Sequence, residues 1–208
     1  MTLHTENLYK LQKKDIPKAG SVLADAFQYD PVWEKVLKHA NFNQKCMFFQ
    51  SAVRYCLQYG EVYASSELME GVASWISGHL ADMTIWRSIR SGSFFYLLKM
   101  GMKMNGMMMK MKTIFEPLEK ARKLNMKDRN YIYLLIIGVS SEYQGQGHGS
   151  KILCTLIEQS EKAGLPIYLE TATSKNIKMY EKFNFRTLNR IDHPIINVPQ
   201  WAMIREPI

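Results

Sequence analysis

Three glycines within five residues, Gly145, Gly147 and Gly149, follow an apolar run from Tyr131 to Val139 and lead directly into a helical pattern. A strand that feeds such a turn exposes several backbone N–H groups at a helix N-terminus, where none has an intrahelical partner. Glycine lets that backbone come close to a ligand. The helix end also carries partial positive charge, worth about 0.3–1 kcal/mol per nearby anion and up to ~2 kcal/mol when partly buried. The combination predicts a phosphate or pyrophosphate site from Gln144 to Ser150. Gly149-Ser150-Lys151 reverses the order of a Walker-type loop, and Gly145-Gln146-Gly147-His148-Gly149 lacks the third spacing of a dinucleotide turn. The spacing that remains is Gln144-x-x-Gly147-x-Gly149.

A second group of candidates lies downstream. Glu170 falls near the end of a buried strand, where desolvation raises a carboxyl pKa. It is a candidate general base, or a structural hydrogen-bond partner. Asn176 and Tyr180 are four residues apart and share one face of a helix. A tyrosine with an ordinary pKa near 10 is protonated at neutral pH and can donate, so Tyr180 is a candidate general acid as well as a candidate core residue. His79 is a second candidate base. His148 lies in the glycine turn and presents its backbone there. Cys46, Cys56 and Cys154 form no Cys-x-x-Cys pair, which argues against a disulfide framework and against a metal site.

The elements that must hold these residues follow from periodicity. A short strand is predicted over 8–11 and an amphipathic helix over 16–27, opened by Asp15 and Pro17. A helix over 43–59 and strands over 61–65 and 71–76 follow. Residues 82–127 form a helical insertion without any strand pattern. Seven of the fourteen methionines lie between Met100 and Met111, with Lys99, Lys103, Gly106 and Lys110 as one polar stripe. This stretch is a core or homodimer helix, an adaptable wall over an apolar substrate, or a membrane-surface helix; charges interrupt it too often for a span. Then come a strand over 131–139, a helix over 147–163, a strand over 167–171, a helix over 174–183, and strands over 185–190 and 200–205. This alternation makes the second half α/β, within one domain covering 1–208.

Composition sets the outer limits. With 47% hydrophobic and 22% charged residues among 208, the chain has enough apolar content for a packed core. The net charge of +8 is local: residues 87–129 carry eleven basic and three acidic side chains, and the remainder balances. Such a patch suits an anionic cofactor, a membrane surface or nucleic acid, but no nucleic-acid-reading motif accompanies it. The first residues have neither a basic nor an apolar signal region, so a cytoplasmic protein is expected.

Gln144-x-x-Gly147-x-Gly149, together with Tyr168-Leu-Glu170-Thr, Asn176, Tyr180 and Phe185, resembles the GCN5-related N-acetyltransferase superfamily. Within it, Val139 to Tyr180, with Gln200-Trp-Ala-Met at the end and Asp30-Pro31 after the first helix, is most similar to the puromycin acetyltransferase branch. Asn184 stands where relatives usually have glycine, and Thr173 where they often have asparagine. The resemblance implies an α/β (α+β) fold with a mixed, mostly antiparallel central sheet flanked by helices. It implies acetyl-CoA as cofactor: main-chain groups of Ile137, Gly138 and Val139 on the pantetheine arm, and Gln144, Gly145, Gln146, Gly147, His148, Gly149 and Ser150 on the pyrophosphate, with Asn176 beside them. Tyr180 would protonate the departing thiolate. Gly138 inside a strand independently suggests a bulge or a close approach. The expected activity is transfer of acetyl to a primary amine of a small molecule, apolar or aromatic given the methionine helix and Trp33, Trp75 and Trp86. A protein or peptide amine acceptor, or a non-catalytic acyl-CoA-binding module, is the alternative.

Overall fold

The structure, a computed structural model, describes residues 8–99 and 104–208, without the side chains of 104–110. Lys103, and the side chains that would form the polar stripe at Gly106 and Lys110 and most of the methionine cluster, lie outside what the structure describes. The chain begins with β1 (Tyr9–Lys10), α1 (Ile16–Ala26), α2 (Pro31–Val36) and α3 (Phe42–Tyr59). It continues through β2 (Gly60–Ala64) and β3 (Gly71–Ser77) into the insertion, α4 (Ile85–Ser91), α5 (Ser93–Lys99) and α6 (Met104–Asn125). The second half is β4 (Ile132–Val139), α7 (His148–Ala163), β5 (Ile167–Thr171), α8 (Ser174–Glu181), β6 (Arg186–Ile191) and β7 (Gln200–Arg205). One sheet orders the strands β1-β2-β3-β4-β5-β7-β6, and every neighbouring pair is antiparallel except β4 and β5.

Alternation along the strands sends side chains to two separate cores. On one face, Leu23, Phe49, Val53, Val72 and Ile76 join α1 and α3 to the sheet. On the other, Trp75, Leu134, Ile152, Leu156 and Leu169 seat α7 and α8. A third cluster, with Leu118, Tyr131, Tyr168 and Ile204, packs α6 onto the first face beyond β4. The insertion therefore extends the layer that α1 and α3 begin.

Several local features differ from the sequence expectation, and at Gly138 the close approach holds rather than the bulge. Residues 82–127 are not helical throughout: Gly92, at φ 79°, ends α4 in a left-handed turn, and Pro117 lies inside α6. The bulge in β4 is not at Gly138. The register steps from Ser74↔Ile136 to Trp75↔Leu134, leaving Leu135 as the extra residue. Gly138 instead permits close packing of α1: a Cβ there would lie 2.9 Å from Ala26 Cβ, 3.0 Å from the Phe27 ring and 3.2 Å from Leu23 Cδ2. The helix α2, which was not expected, starts where Asp30 Oδ1 accepts from the Val32 and Trp33 amides at 3.0 and 3.2 Å. Gly138→Val should lower unfolding stability by about 1–3 kcal/mol through overpacking against α1, read as a fall in the urea midpoint at unchanged slope.

Candidate active site

The parallel pair at the centre of the sheet is short. β4 and β5 are in register only at Ile132↔Ile167 and Tyr133↔Tyr168. From Leu134 to Val139, β4 keeps its bonds to β3 but has no strand on its other edge. β5 likewise continues to Thr171 against β7 alone. The bulge at Leu135 bends β4 where the two strands part, and the result is a wedge through the middle of the sheet. Backbone groups along its edges need a partner from outside the sheet.

At the open end of the wedge, β4 runs into the glycine turn. Asp25 of α1 fixes its start, accepting from Ser140 Oγ at 2.6 Å, the Ser141 amide at 2.6 Å and Ser141 Oγ at 3.1 Å. Burial pushes this carboxyl up, but the bonds from Ser140 and Ser141 outweigh it and hold its pKa below the ordinary value. The side chains of Gln144 and Gln146 brace the turn, donating to the Val139 carbonyl at 3.2 Å and the Glu142 carbonyl at 3.1 Å. Gly145 and Gly147 sit at φ 80° and 90°, a region that favours glycine, and no atom lies within 4 Å of a Cβ placed on either. The first α7 amide bonded back to the turn is Lys151, to the Gly147 carbonyl at 2.9 Å. The amides of His148, Gly149 and Ser150 precede it, so none has an intrahelical acceptor. His148 turns its ring toward Tyr143, with Nδ1 3.9 Å from Glu70, and leaves its backbone to the turn. This open cradle of amides suits a diphosphate.

On the α1–α6 face of the wedge sits a buried polar cluster. Tyr133 Oη donates to Glu170 Oε2 at 2.7 Å. The Tyr168 hydroxyl lies beside the same carboxylate and near Asn125, but neither Tyr168 Oη nor Glu170 Oε1 makes a hydrogen bond of normal length. Arg122, reaching in from α6, is 5% exposed. Its guanidinium lies 5.0 Å over the Tyr133 ring and pairs with Asp82 at 2.7 Å; Lys123 meets the same Asp82 at 3.0 Å. Desolvation pushes the Glu170 carboxyl up to about 7, against the opposing pull of the Tyr133 hydroxyl and the Arg122 charge. Tyr133 is raised well above its ordinary value by burial and by the neighbouring carboxylate.

Tyr180 belongs to the opposite face. It is 5% exposed, packs on Phe185 at 5.4 Å between ring centres, and is raised by burial, so its hydroxyl stays protonated. Asn176 lies one turn earlier on α8, whose first turn Thr173 caps by accepting from the Asn176 amide at 3.2 Å. Asn184 adopts φ 64°, the left-handed turn that glycine usually provides. Ile137 points into the α7 core and Val139 toward Gly149.

A model of the Acetyltransferase (GNAT) family matches residues 73–185, which span the wedge and the glycine turn. The chain belongs to the GNAT acetyltransferase family. An uncharacterized N-acetyltransferase of Schizosaccharomyces pombe is 32% identical over 209 residues, covering 95% of this chain and 82% of that protein. Among solved structures, the histone acetyltransferase HPA2 and related acetyltransferase of Corynebacterium glutamicum superimposes with TM-score 0.62 at 18% identity, covering 98% of both chains. The C-terminal condensation domain of Ebony, in complex with beta-alanyl-dopamine, gives 0.63 at 7% identity over 96% of this chain and 98% of its own. Both share the fold. The protein is thus a GNAT N-acetyltransferase, and enzymes of this family typically use acetyl-CoA. Among the described residues no helix is long and apolar enough to cross a membrane.

Several expected residues fall elsewhere in the acetyltransferase. His79 is exposed in the turn after β3, paired with Ser77 Oγ at 2.7 Å, at the end of the sheet away from the glycine turn. It does not join Glu170. Trp75 faces α7 and donates to Gln159 at 3.1 Å, so it cannot line the α6 side of the wedge. Trp86 is 82% exposed on α4. Trp33 packs 5.9 Å from Phe115 of α6. Sequence reasoning missed Tyr133 and Arg122. Tyr131-x-Tyr133 and Tyr168-x-Glu170 carried a signal, two polar-tipped pairs at strand spacing; Arg122 carried none among its basic neighbours.

The raised Glu170 pKa has a consequence for stability. Between an unfolded value near 4.5 and a folded value near 7, the native state binds the extra proton. Stability is therefore highest below about pH 4.5 as far as this group is concerned, and falls as pH rises toward 7. The loss is on the order of 3 kcal/mol. Glu170→Gln should flatten that slope and stabilise the protein at pH 8, as measured by chemical unfolding at a series of pH values.

Proposed function

We propose that this enzyme uses acetyl-CoA to acetylate a primary amine of a small molecule, one with an apolar or aromatic body, within a single domain. The observation that carries this reading is the wedge between β4 and β5, with a cradle of free amides at its mouth and a buried carboxylate on its far face. The cradle fits a pyrophosphate: the turn is open above Gly145 and Gly147, and the first-turn amides of α7 point out of the helix. The amides of Gly145 to Ser150 would hold that group. Gln144 and Gln146 would act by bracing the turn. Ile137, Gly138 and Val139 would offer the unpaired edge of β4 to the pantetheine arm, and Asn176 a polar contact on the α8 side. When bound, acetyl-CoA supplies an activated acyl group.

The chain's own residues account for the proton movements. An amine must lose a proton to become nucleophilic, and Glu170 Oε1, beside the Tyr168 hydroxyl but without a hydrogen bond of normal length, is an acceptor for it. A carboxyl titrating near 7 has an affinity for protons suited to that task at neutral pH. Tyr133 holds the other oxygen and fixes the carboxylate plane. Tyr180, protonated on the α8 face, would supply a proton to the leaving thiolate. The acid and the base thus approach the wedge from opposite faces of the sheet. Trp33, Phe115 and the apolar cluster of Val32, Ile114, Ile196 and Val198 favour an apolar or aromatic body on the α6 side. Asp30-Pro31, which opens α2 beside this cluster, and the Gln200-Trp-Ala-Met strand favour the puromycin acetyltransferase branch.

Thiol release from acetyl-CoA, followed over a panel of amines, tests the reading. Wild-type kcat/KM should rise with an apparent pKa near 7, and Glu170→Gln should remove that rise and lower kcat by about 10²–10⁴-fold. Tyr180→Phe should lower kcat while leaving coenzyme A affinity intact. Gly147→Val, forced into a backbone region that β-branched residues avoid, should weaken coenzyme A binding at least tenfold by calorimetry. Turnover by Glu170→Gln at the wild-type rate and pH profile would remove the base from the proposal.

A further inference from the structure

Buried polar atoms without a partner are few in folded proteins, and each calls for an explanation. Among the described residues, four of them lie on the sheet face that α6 covers: Glu170 Oε1, Tyr168 Oη, His193 Nε2 and Gln200 Oε1. Their common location follows from register and packing. Tyr168 and Glu170 alternate onto one face of β5, and Glu170 is paired with Ala202 of β7. Gln200 is two residues before Ala202 and so faces the same way. Ala202 and Tyr168 share the cluster that packs under α6. His193 follows β6 and bonds to the α6 backbone, Nδ1 to the Ile114 carbonyl at 2.9 Å. Ile114 in turn packs with Ile196, Val198 and Ala172, the residue immediately after β5. His193 and Gln200 are 3% and 9% exposed.

The chemistry of these atoms has a direction. A carbonyl only accepts, so His193 Nδ1 carries a proton toward Ile114, and in the neutral ring Nε2 is left as an acceptor. Glu170 Oε1 and Gln200 Oε1 are acceptors as well. The Tyr168 hydroxyl is the one donor of the four and lies beside Glu170, which leaves His193 Nε2 and Gln200 Oε1 as acceptors without a donor. A molecule that brings N–H or O–H groups matches them, and one that brings a carboxylate is opposed.

We infer that His193 and Gln200 are specificity-determining residues of the acceptor pocket, selecting a primary amine that carries a second hydrogen-bond donor, as an amino alcohol or a diamine does. This rests on the reading of Glu170 as the group that receives the amine. The amine would meet Glu170 Oε1, the second donor would meet His193 Nε2 or Gln200 Oε1, and the apolar body would lie along Ile114 and Phe115. Leaving a buried acceptor unmatched weakens binding by about 10- to 100-fold, so amines lacking the second donor are rejected.

The test compares three families of amines with a common aryl or alkyl body: the plain amine, its hydroxyl- or amino-bearing analogue, and the corresponding amino acid. The expected result is a kcat/KM at least tenfold higher for the hydroxyl or diamine form than for the plain amine, with the amino acid poorest. His193→Phe and Gln200→Met should each bring the ratio of hydroxylated to plain amine toward one. Coenzyme A binding by calorimetry serves as the check that each variant is folded. A wild-type ratio near one, or a ratio unchanged in both folded variants, overturns the inference while leaving the acetyltransferase reading intact. Failure of every amine to release thiol, with Glu170→Gln indistinguishable from wild type, overturns the small-amine reading itself.

Discussion

Two adjacent parallel strands that bond at only two residue pairs give this fold its defining constraint. A sheet interior normally satisfies every backbone N–H and C=O through its ladders. Here the inner edges of β4 beyond Tyr133 and of β5 beyond Tyr168 are left to find partners elsewhere. The separation does not loosen the sheet, because each strand keeps a full antiparallel neighbour, β3 for β4 and β7 for β5. The extra residue at Leu135 turns β4 away, and Gly138 lets α1 press closely enough to hold it there. An edge of peptide groups, held open by packing on both flanks, is a ready template for an amide-containing ligand arm. The proposed placement of acetyl-CoA depends on it.

The wedge also divides the chemistry between two environments. On the α7–α8 face the resources are backbone amides and a helix terminus, arranged by a turn that spends its side chains on bracing itself. On the α1–α6 face they are a carboxylate, two tyrosines and a buried arginine. The insertion is what makes the second environment possible. Without α6, Glu170 and Tyr168 would face solvent, and the carboxyl would titrate near its ordinary value. With α6 in place, burial raises Glu170 while Arg122 and Tyr133 moderate the shift, leaving the group near neutrality rather than permanently protonated. The helix that removes the water thus also brings the compensating charge.

Much of this was legible in the sequence because it is local. The glycine turn, its strand and its helix occupy one continuous stretch, and β5 and β7 fall at the expected residues. Helix α2 was missed because six residues are too short for a periodicity, although Asp30-Pro31 marks its start. The site on the α6 face was legible only in part. Glu170 stood out as an acid at the end of an apolar strand, but its partner Tyr133 is 37 residues away, and Arg122 and Asp82 are 40 apart. Strand pairing and a helix crossing bring them together, and neither leaves a trace in spacing. Trp75 shows the converse error. A tryptophan suggested an aromatic pocket, but the alternation of β3 sends it, with Ala73, to the opposite core.

The two Glu170 oxygens are treated unequally, and the proposed role of this carboxylate rests on that difference. A buried acid retained only for architecture gains most when both oxygens are bonded, since each unmet lone pair in a low-dielectric interior is costly. Asp25, though only half-buried, has both oxygens occupied by the Ser140–Ser141 turn, and its pKa is depressed. Glu170 has one oxygen fixed by Tyr133 and the other beside the Tyr168 hydroxyl without a bond of normal length, and its pKa is raised by burial. The two carboxylates flank the same wedge, one on a helix at its mouth and one on a strand inside it. The first has the environment of a brace. The second is held by Tyr133 through one oxygen, and the proposed general base needs the other to accept a proton.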